Sequence, residues 1–225
     1  MKKSKNKKAP LFSFKYFGHD LLRVLGAPGL LFFRPKRYYL SKDKKTKIKG
    51  GTLLISNHIS LFDPMYLMVG LWERRHHFIA MSELFDSKFR RWLFTKVFLC
   101  VEIDRNNVSL HSFKEIVKHL KSGELISMFP EGHVNVDESG VNAYKSGMIM
   151  MALQSNCPIV PVYIKRRKKW YSRIELGIGE PVNVNDFKSG LIATVEEINA
   201  AAKYLEEQSI KLEMLVTSGG KKHEI

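Results

Sequence analysis

The chain has 225 residues, of which 44% are hydrophobic, 26% charged and 11% aromatic. These values exclude a largely disordered chain and predict one domain with a sizeable core. The formal net charge of +15 favours a polyanionic partner, but the sequence has no RNA- or DNA-binding motif, so we expect no nucleic acid. Cys100 and Cys157 lie in apolar stretches without metal-ligand spacing, which predicts buried free thiols in a reducing compartment.

The first 45 residues combine lysine clusters with an apolar segment. Five lysines lie within residues 1–8, and a second basic cluster lies within residues 34–49. Between them, "LFSFKYFGHDLLRVLGAPGLLFF" repeats apolar residues at helical spacing, but its longest apolar run is about half the roughly 20 residues that span a bilayer. We therefore expect an amphipathic, basic membrane-anchoring segment at residues 1–45 and a globular domain at residues 46–225. The alternative is an ordinary N-terminal helix packed on that domain.

The rest of the chain alternates short apolar strands with helical patterns. Strands are predicted, in order, at "GGTLLIS", "HFIAM", "LCVEI", "ELISMF", "CPIVPVYI" and "RIELGIGEPV". Helices are predicted at residues 64–72, 88–98, 112–123, 147–154 and 195–215. Strands separated by helices imply βαβ units, so we expect an α/β fold with a mostly parallel central sheet flanked by helices.

Three polar stretches follow three of these strands. "NHISLFD" follows the first strand, "DR" the third and "PEGH" the fourth. Because open α/β sheets bind ligands beyond the carboxyl ends of their strands, these three turns form a candidate active site.

The first polar stretch places His58 and Asp63 five residues apart. Asp63 followed by Pro64 is typical of a helix start, with the aspartate as N-cap and the proline at the first helical position. The preceding turn can also fold His58 back onto Asp63, whose carboxylate would fix the ring tautomer and leave the other ring nitrogen to accept a proton. A capping aspartate beside a loop histidine, and a general base with its orienting aspartate, are compatible hypotheses.

The other two stretches carry Arg105 and Glu131. An arginine directly after a buried strand can bind a phosphate or carboxylate through two parallel hydrogen bonds, or it can form a surface ion pair with Asp104 or Glu102. Glu131 precedes Gly132 in a turn whose backbone lets a ligand approach, although it could equally be a solvated turn acid.

The motifs resemble those of a known family. "NHISLFD" matches the NHxxxxD motif of the glycerolipid acyltransferases, the family of bacterial 1-acylglycerol-3-phosphate acyltransferases. "EIDR" and "FPEGH" resemble the family's second and third blocks, and "YKSGMIMMALQSNCPIVPVYI" and "IGEPV" are similar to later stretches. The four main blocks occur in the family's order over residues 57–164, roughly half of the chain.

This resemblance implies transfer of a fatty acyl group from a thioester, either acyl-CoA or acyl carrier protein, to the hydroxyl of a lysophospholipid, 1-acylglycerol-3-phosphate. His58 would be the general base and Asp63 would orient it. The product would be phosphatidate for phospholipid biosynthesis, made on an anionic surface at the cytoplasmic face of the cell membrane by a peripheral or monotopic enzyme. No metal or other cofactor is implied. The substrate-binding residues would be Asn57, Arg105, Glu131, Gly132 and Lys145.

The sequence departs from the family where the third block normally continues with threonine and arginine, because His133 and Val134 stand there. That arginine is a candidate phosphate ligand, so Arg105, Lys145 or the "KRRKK" cluster at residues 165–169 would have to supply its charge. The cluster could also be a solvated loop or a docking surface for acidic acyl carrier protein.

Two alternatives follow from this departure and from the basic composition. Tafazzin-like transacylases also have a basic residue followed by valine at this point, which "EGHVN" resembles. The chain could therefore act on another lysophospholipid or exchange acyl groups between phospholipids. The alternative from a different class is a non-catalytic basic membrane-binding protein.

Overall fold

The computed structural model describes residues 16–40, 46–104, 109–135, 144–169 and 171–220. Its helices are α1 (Phe17–Phe33), α2 (Asp63–Gly70), α3 (Lys88–Trp92), α4 (Leu110–Lys121), α5 (Gly147–Ser155) and α6 (Val195–Thr217). Its strands are β1 (Lys36–Tyr39), β2 (Thr52–Ser56), β3 (His76–Met81), β4 (Val101–Ile103), β5 (Leu125–Met128), β6 (Ile159–Ile164) and β7 (Glu175–Ile178). Short 3₁₀ turns occupy Ser82–Phe85 and Val184–Phe187, and a π-helical turn, Leu93–Val97, continues α3.

The strands form one seven-stranded sheet in the order β1-β7-β6-β2-β5-β3-β4. The five strands from β6 to β4 are parallel, β7 runs antiparallel to β6, and β1 is parallel to β7. All five residues of the central strand β2 are buried, as expected where helices cover both faces of a parallel sheet. The predicted α/β class with a mostly parallel sheet is confirmed.

The alternating side chains of the central strands pack into two hydrophobic cores, one on each face of the sheet. Leu53 and Ile55 of β2 point to one face, where α4, α5 and α6 pack. Leu54 points to the other face, where Leu67 of α2 packs. Gly70 lets α2 approach closely, because a Cβ atom there would lie 2.1 Å from Leu176 Cδ1 of β7. This packing fixes α2, and therefore the turn in front of it, over the sheet.

One strand was not predicted. β1 lies within the range assigned to the membrane-anchoring segment, yet its four residues pair with β7 in the main sheet. The sheet therefore takes in residues from Lys36 onward. The predicted helix at residues 88–98 is also interrupted, since α-helical geometry covers Lys88–Trp92 and widens to a π-helical turn afterwards.

Helix α1 packs on the domain through polar contacts. Asp20 is 2% exposed and accepts two hydrogen bonds from Arg75, both at 2.7 Å, in a bidentate ion pair. The fully buried His19 donates from Nδ1 to the carbonyl oxygen of Val97 at 2.8 Å. Much of the apolar surface of α1 faces solvent instead, and its exposed large side chains are Phe17, Leu21, Val24, Leu25, Leu31 and Phe32.

Within the described part of the chain, no helix combines the length and the apolar character needed to cross a membrane.

Candidate active site

The turn between β2 and α2 brings His58 and Asp63 together. His58 Nδ1 lies 2.9 Å from Asp63 Oδ2, the Asp63 side chain is fully buried, and 17% of the His58 side chain is exposed. A carboxylate oxygen accepts hydrogen bonds, so Nδ1 of the ring carries a proton and donates it to Asp63. The two side chains therefore meet across the turn as the sequence predicts.

Asp63 Oδ2 is shared by two further donors. It accepts the backbone N–H groups of Ile59 at 2.7 Å and of Ser60 at 2.8 Å, both of which precede the helix. Helix α2 begins at Asp63 itself, with Phe62 in the N-cap position. The prediction that Asp63 caps the helix is wrong, because its carboxylate turns back to the His58 loop instead of toward the first amides of α2.

The ring of His58 is held on two sides. Its plane stacks on Phe129, with ring centroids 4.0 Å apart and an interplanar angle of 15°. Since Nδ1 donates to Asp63, the second nitrogen, Nε2, carries the lone pair in the neutral ring. Among the described residues, the one hydrogen-bonding partner of the ring is Asp63 at Nδ1, and Nε2 has none. This arrangement can accept a proton at Nε2 while Asp63 stabilises the resulting imidazolium.

The side chain of Asn57 is buried and hydrogen-bonded within the fold. It is 2% exposed, Nδ2 donates to the carbonyl oxygen of Ile164 at 3.0 Å, and Oδ1 accepts the N–H of Ile164 at 2.7 Å. A role for Asn57 in substrate binding stays a prediction, although both polar atoms of its side chain form hydrogen bonds within the fold. Its amide supplies the donor and the acceptor that join the carboxyl ends of β2 and β6, and it thereby positions His58, the next residue.

The turn after β5 holds the backbone of His58 from the other side. Glu131 is 3% exposed, and its Oε1 accepts the N–H of His58 at 3.3 Å. The carbonyl oxygen of His58 accepts the N–H of Asn135 at 2.6 Å. The sequence indicates Glu131 as a candidate but does not indicate Asn135. The contact of Asn135 is made by its backbone N–H, which almost any residue type could supply.

Gly132 and Lys145 lie in contact beside this turn. Gly132 has a φ of +74°, and a Cβ atom there would lie 3.1 Å from Lys145 Nζ. His133 donates from Nδ1 to the carbonyl oxygen of Glu131 at 3.0 Å, closing the turn. The lysine side chain therefore runs over the glycine, and a larger residue at position 132 would have backbone strain from the positive φ and would displace the end of the lysine side chain slightly.

The basic stretch at residues 165–169 directly follows β6, the strand beside β2. Arg166 Nη2 donates to the carbonyl oxygen of Asn135 at 3.1 Å, which places this arginine two hydrogen bonds from His58. The Arg167 guanidinium lies over the rings of Phe33 and Tyr66, 4.7 and 5.0 Å from their centroids. Part of the cluster thus lines the candidate site, a placement the sequence left open.

Arg105 lies outside the described residues. The preceding strand β4 ends at Ile103, three strand positions from β2, which corresponds to roughly 14 Å across the sheet. A role for Arg105 in substrate binding therefore stays a prediction.

Two backbone amides near the motif are not available to a substrate. The N–H groups of Ile59 and Ser60 both donate to Asp63, so neither is a candidate donor for a developing oxyanion.

The two cysteines are free, as predicted, but only Cys157 is buried, whereas Cys100 is half-buried. Burial raises the pKa of the Cys100 thiol to about 12 and also raises the pKa of Cys157, which favours the unreactive thiol form of both.

The fold and the site define an α/β protein with a histidine–carboxylate pair at the carboxyl edge of a parallel sheet, a place suited to acid–base chemistry on a bound ligand. The model of the Acyltransferase family matches residues 37–165. The chain belongs to this family, and the prediction that it is an acyltransferase is confirmed. The non-catalytic alternative is set aside.

Individual relatives agree with this membership. The chain is 29% identical over 171 residues to a 1-acyl-sn-glycerol-3-phosphate acyltransferase of Bacillus subtilis (strain 168), covering 71% of this chain and 83% of that protein. It is 24% identical over 187 residues to a protein of the same name from Streptococcus pneumoniae (strain ATCC BAA-255 / R6), covering 76% and 67%. Its fold is similar to the crystal structure of the 1-acyl-sn-glycerophosphate (LPA) acyltransferase PlsC from Thermotoga maritima, with a TM-score of 0.62, 22% identity, and coverage of 93% and 83%.

Proposed function

We propose that the protein transfers a fatty acyl group from acyl-CoA or acyl carrier protein to the free hydroxyl of 1-acylglycerol-3-phosphate, forming phosphatidate for phospholipid biosynthesis. The observation that carries this proposal is the His58–Asp63 pair at 2.9 Å, with Nε2 of His58 left without a partner among the described residues. The two bacterial relatives carry the name of this activity.

His58 acts as the general base in this proposal. Nε2 removes the proton from the acceptor hydroxyl as the hydroxyl oxygen attacks the thioester carbonyl carbon. The tetrahedral intermediate then collapses, the carbon–sulfur bond breaks, and the imidazolium returns the proton to the leaving thiolate. Asp63 stabilises the transient positive charge on the ring. No covalent acyl-enzyme, metal or other cofactor takes part.

The positive charge that faces the phosphate of the acceptor comes from Lys145 and Arg166. The family's usual arginine is absent from the third block, but Lys145 reaches over Gly132 of that block. Arg166 reaches the same region from the end of β6 through the carbonyl oxygen of Asn135. Two cations from different elements can hold a phosphate monoester in place of one arginine. Arg105 remains a further candidate ligand.

The enzyme works at an anionic membrane surface as a peripheral or monotopic protein at the cytoplasmic face of the cell membrane. In support, apolar side chains stand exposed directly beside His58, with Leu61 82%, Phe62 59% and Met65 50% accessible. Helix α1 adds further exposed apolar residues and is flanked by lysine-rich sequence. A lipid acceptor whose headgroup enters the site would keep its chain against this apolar rim.

An acceptor panel tests the proposed substrate. Vesicles containing 1-acylglycerol-3-phosphate, lysophosphatidylcholine or lysophosphatidylglycerol would be supplied with acyl-CoA, and thiol release and acylated product would be measured. We expect kcat/KM to favour the phosphate monoester at least about tenfold. Equal rates with all three acceptors would contradict the proposed headgroup. Acyl exchange between phospholipids without thiol release would replace the proposal with the transacylase alternative, which the His133–Val134 departure favours.

A further inference from the structure

A second cluster of polar side chains lies at the opposite edge of the sheet from His58. It consists of His77 near the amino end of β3, His119 near the carboxyl end of α4, and Glu124 directly before β5. One possible ligand atom from each residue lies within 4.8 Å of those of the other two. The acyl-transfer chemistry proposed above uses none of these residues.

The three side chains are brought together by backbone contacts. The N–H of Glu124 donates to the carbonyl oxygen of His119 at 3.1 Å, which closes the turn between α4 and β5. His77 lies beside the start of β5, because its neighbour His76 is in register with Leu125. The geometry of this cluster is therefore fixed by the fold and does not depend on flexible side chains alone.

His77 is the member whose surroundings point to a missing ligand. Its side chain is 4% exposed, and neither ring nitrogen forms a hydrogen bond of normal geometry with any described residue. The side chains that face it are the Glu124 carboxylate, with Oε2 3.6 Å from Nε2, the His119 ring, with its centroid 4.9 Å away, and the edge of the Tyr16 ring. The backbone of Leu125 also approaches the ring as a hydrogen-bonding partner, but this contact lacks normal hydrogen-bond geometry. A buried imidazole without a well-formed hydrogen bond has an energetic cost that a bound metal ion would remove.

The other two members are joined to each other and would have to separate slightly to share an ion. His119 Nδ1 is hydrogen-bonded to Glu124 Oε2, and the opposite nitrogen, Nε2, faces the Glu115 carboxylate at 3.9 Å. A carboxylate behind a ligating histidine is the usual outer contact of metal-bound imidazole. Tyr16 donates its hydroxyl hydrogen to the second oxygen of Glu124, which fixes the carboxylate from the other side.

We propose that His77, His119 and Glu124 bind a divalent transition-metal ion, zinc above all, at the amino edge of the sheet. Two imidazoles and one carboxylate are a recurrent zinc ligand set, with a fourth position open to water. Zinc bonds of about 2.0–2.1 Å in tetrahedral geometry place ligand atoms about 3.4 Å apart, close to the present 3.6 Å between His77 and Glu124. The His119–Glu124 hydrogen bond is shorter than this, so zinc would replace that bond and move the two side chains apart. Mg²⁺ and Ca²⁺ prefer oxygen ligands and would bind poorly.

The proposed ion would join three segments of the chain. It would tie β3 to the α4–β5 turn, and through the Tyr16–Glu124 hydrogen bond it would fasten the start of α1 to the domain. The role is structural and is independent of the proposed transferase reaction, since the site lies across the sheet from His58.

The test uses the full-length chain without an affinity tag, freed of metal with a chelator. After incubation with zinc chloride and gel filtration, the zinc content of each chain would be measured by mass spectrometry. We expect one zinc ion per wild-type chain, and zinc should raise the melting temperature. His77→Ala should lose the zinc, whereas His111→Ala, which removes an exposed histidine of α4, should keep it. Cobalt substitution should give the visible absorption of a tetrahedral site in the wild type.

A second variant separates ligand loss from misfolding. Glu124→Gln keeps the shape of the side chain but removes its charge, and circular dichroism would verify its fold. We expect this variant to bind zinc at least about tenfold more weakly and to lose the zinc-dependent rise in melting temperature. Absence of zinc from the wild type, or equal zinc content in wild type, His77→Ala and Glu124→Gln, would overturn the proposal.

Discussion

Asp63 Oδ2 accepts His58 Nδ1 at 2.9 Å and, at the same time, the backbone amides of Ile59 and Ser60. One buried oxygen thus fixes both the histidine ring and the loop that carries it. Replacing the aspartate should therefore disturb the tautomer of the ring as well as its charge stabilisation.

Asp63→Asn tests this relationship. An asparagine can present its N–H₂ group to His58 Nδ1, which would favour the tautomer with the proton on Nε2 and block the base. We expect kcat to fall by at least about a hundredfold with a smaller change in the KM for the acceptor. Steady-state kinetics would check this, with circular dichroism to verify folding. A variant that keeps near-wild-type kcat would show that Asp63 is needed only to shape the loop.

The proposed phosphate contacts predict an asymmetric effect on the two substrates. Arg166→Ala and Lys145→Ala should each raise the KM for the lysophospholipid acceptor about tenfold or more, and leave the KM for the acyl donor nearly unchanged, because each removes a charge–phosphate contact. Lys168→Ala, which removes an exposed lysine of the same basic stretch, is the matched control. Equal increases in KM for the acceptor and the donor would indicate that Arg166 acts in folding or in donor binding. The same comparison of KM values tests Arg105→Ala.

The exposed apolar residues of α1 predict membrane binding that depends on this helix. Leu25 and Leu31 are 70% and 82% exposed, so Leu25→Ser with Leu31→Ser should weaken co-sedimentation with anionic vesicles at least about tenfold without unfolding the domain.

The loop before α6 supplies a control for that experiment. Leu191 and Ile192 are 97% and 85% exposed, and their replacement by serine should leave vesicle binding unchanged. Equal effects of the two double variants would argue for unspecific apolar adhesion. Residues 1–37 are less suitable for deletion, because their removal takes away the Asp20–Arg75 ion pair and half of β1.

Acid should loosen α1 through His19. Burial lowers the pKa of His19 below its usual 6.5, and the hydrogen bond to Val97 offsets only part of that shift. In the unfolded chain His19 therefore binds a proton more readily than in the folded chain. Its contribution lowers the free energy of unfolding as pH drops below about 6.5, by up to about 1.4 kcal/mol per pH unit. The buried His76 and His77, whose pKa values are lowered to about 3 and about 4, add to the same trend.

Urea denaturation at pH 7 and pH 5 would measure this effect in the presence of a chelator. His19→Asn keeps an N–H donor for Val97 without a titratable ring and should lose that part of the pH dependence. His111→Asn, at an exposed position on α4, should retain it. The same pH dependence in all three proteins would exclude His19 as its source.

The features that could be predicted from the sequence are those formed by residues close together along the chain. The apolar runs indicated six of the seven strands, and the five-residue spacing brought His58 to Asp63. β1 was missed because "KRYY" has no apolar run and becomes a strand only by pairing with β7 at the sheet edge.

Contacts between distant segments could not be read from residue type. The side-chain amide of Asn57 pairs with the backbone of Ile164, 107 positions away. Only the fold reveals this contact, by which Asn57 positions His58. The capping role of Asp63 is predicted from a pattern that fits many helix starts. In the structure the Asp63 carboxylate instead accepts hydrogen bonds from three donors that precede α2. His77 joins His119 and Glu124 only through strand pairing, which no spacing in the sequence indicates.

His58 is the proposed base for acyl transfer to a lysophospholipid hydroxyl. The most direct measurement is thiol release from acyl-CoA in the presence of vesicles and 1-acylglycerol-3-phosphate, with wild type beside His58→Ala. We predict release that requires the acceptor and falls by at least about a hundredfold in the variant. Acceptor-dependent release at an equal rate in His58→Ala would exclude His58 as the base.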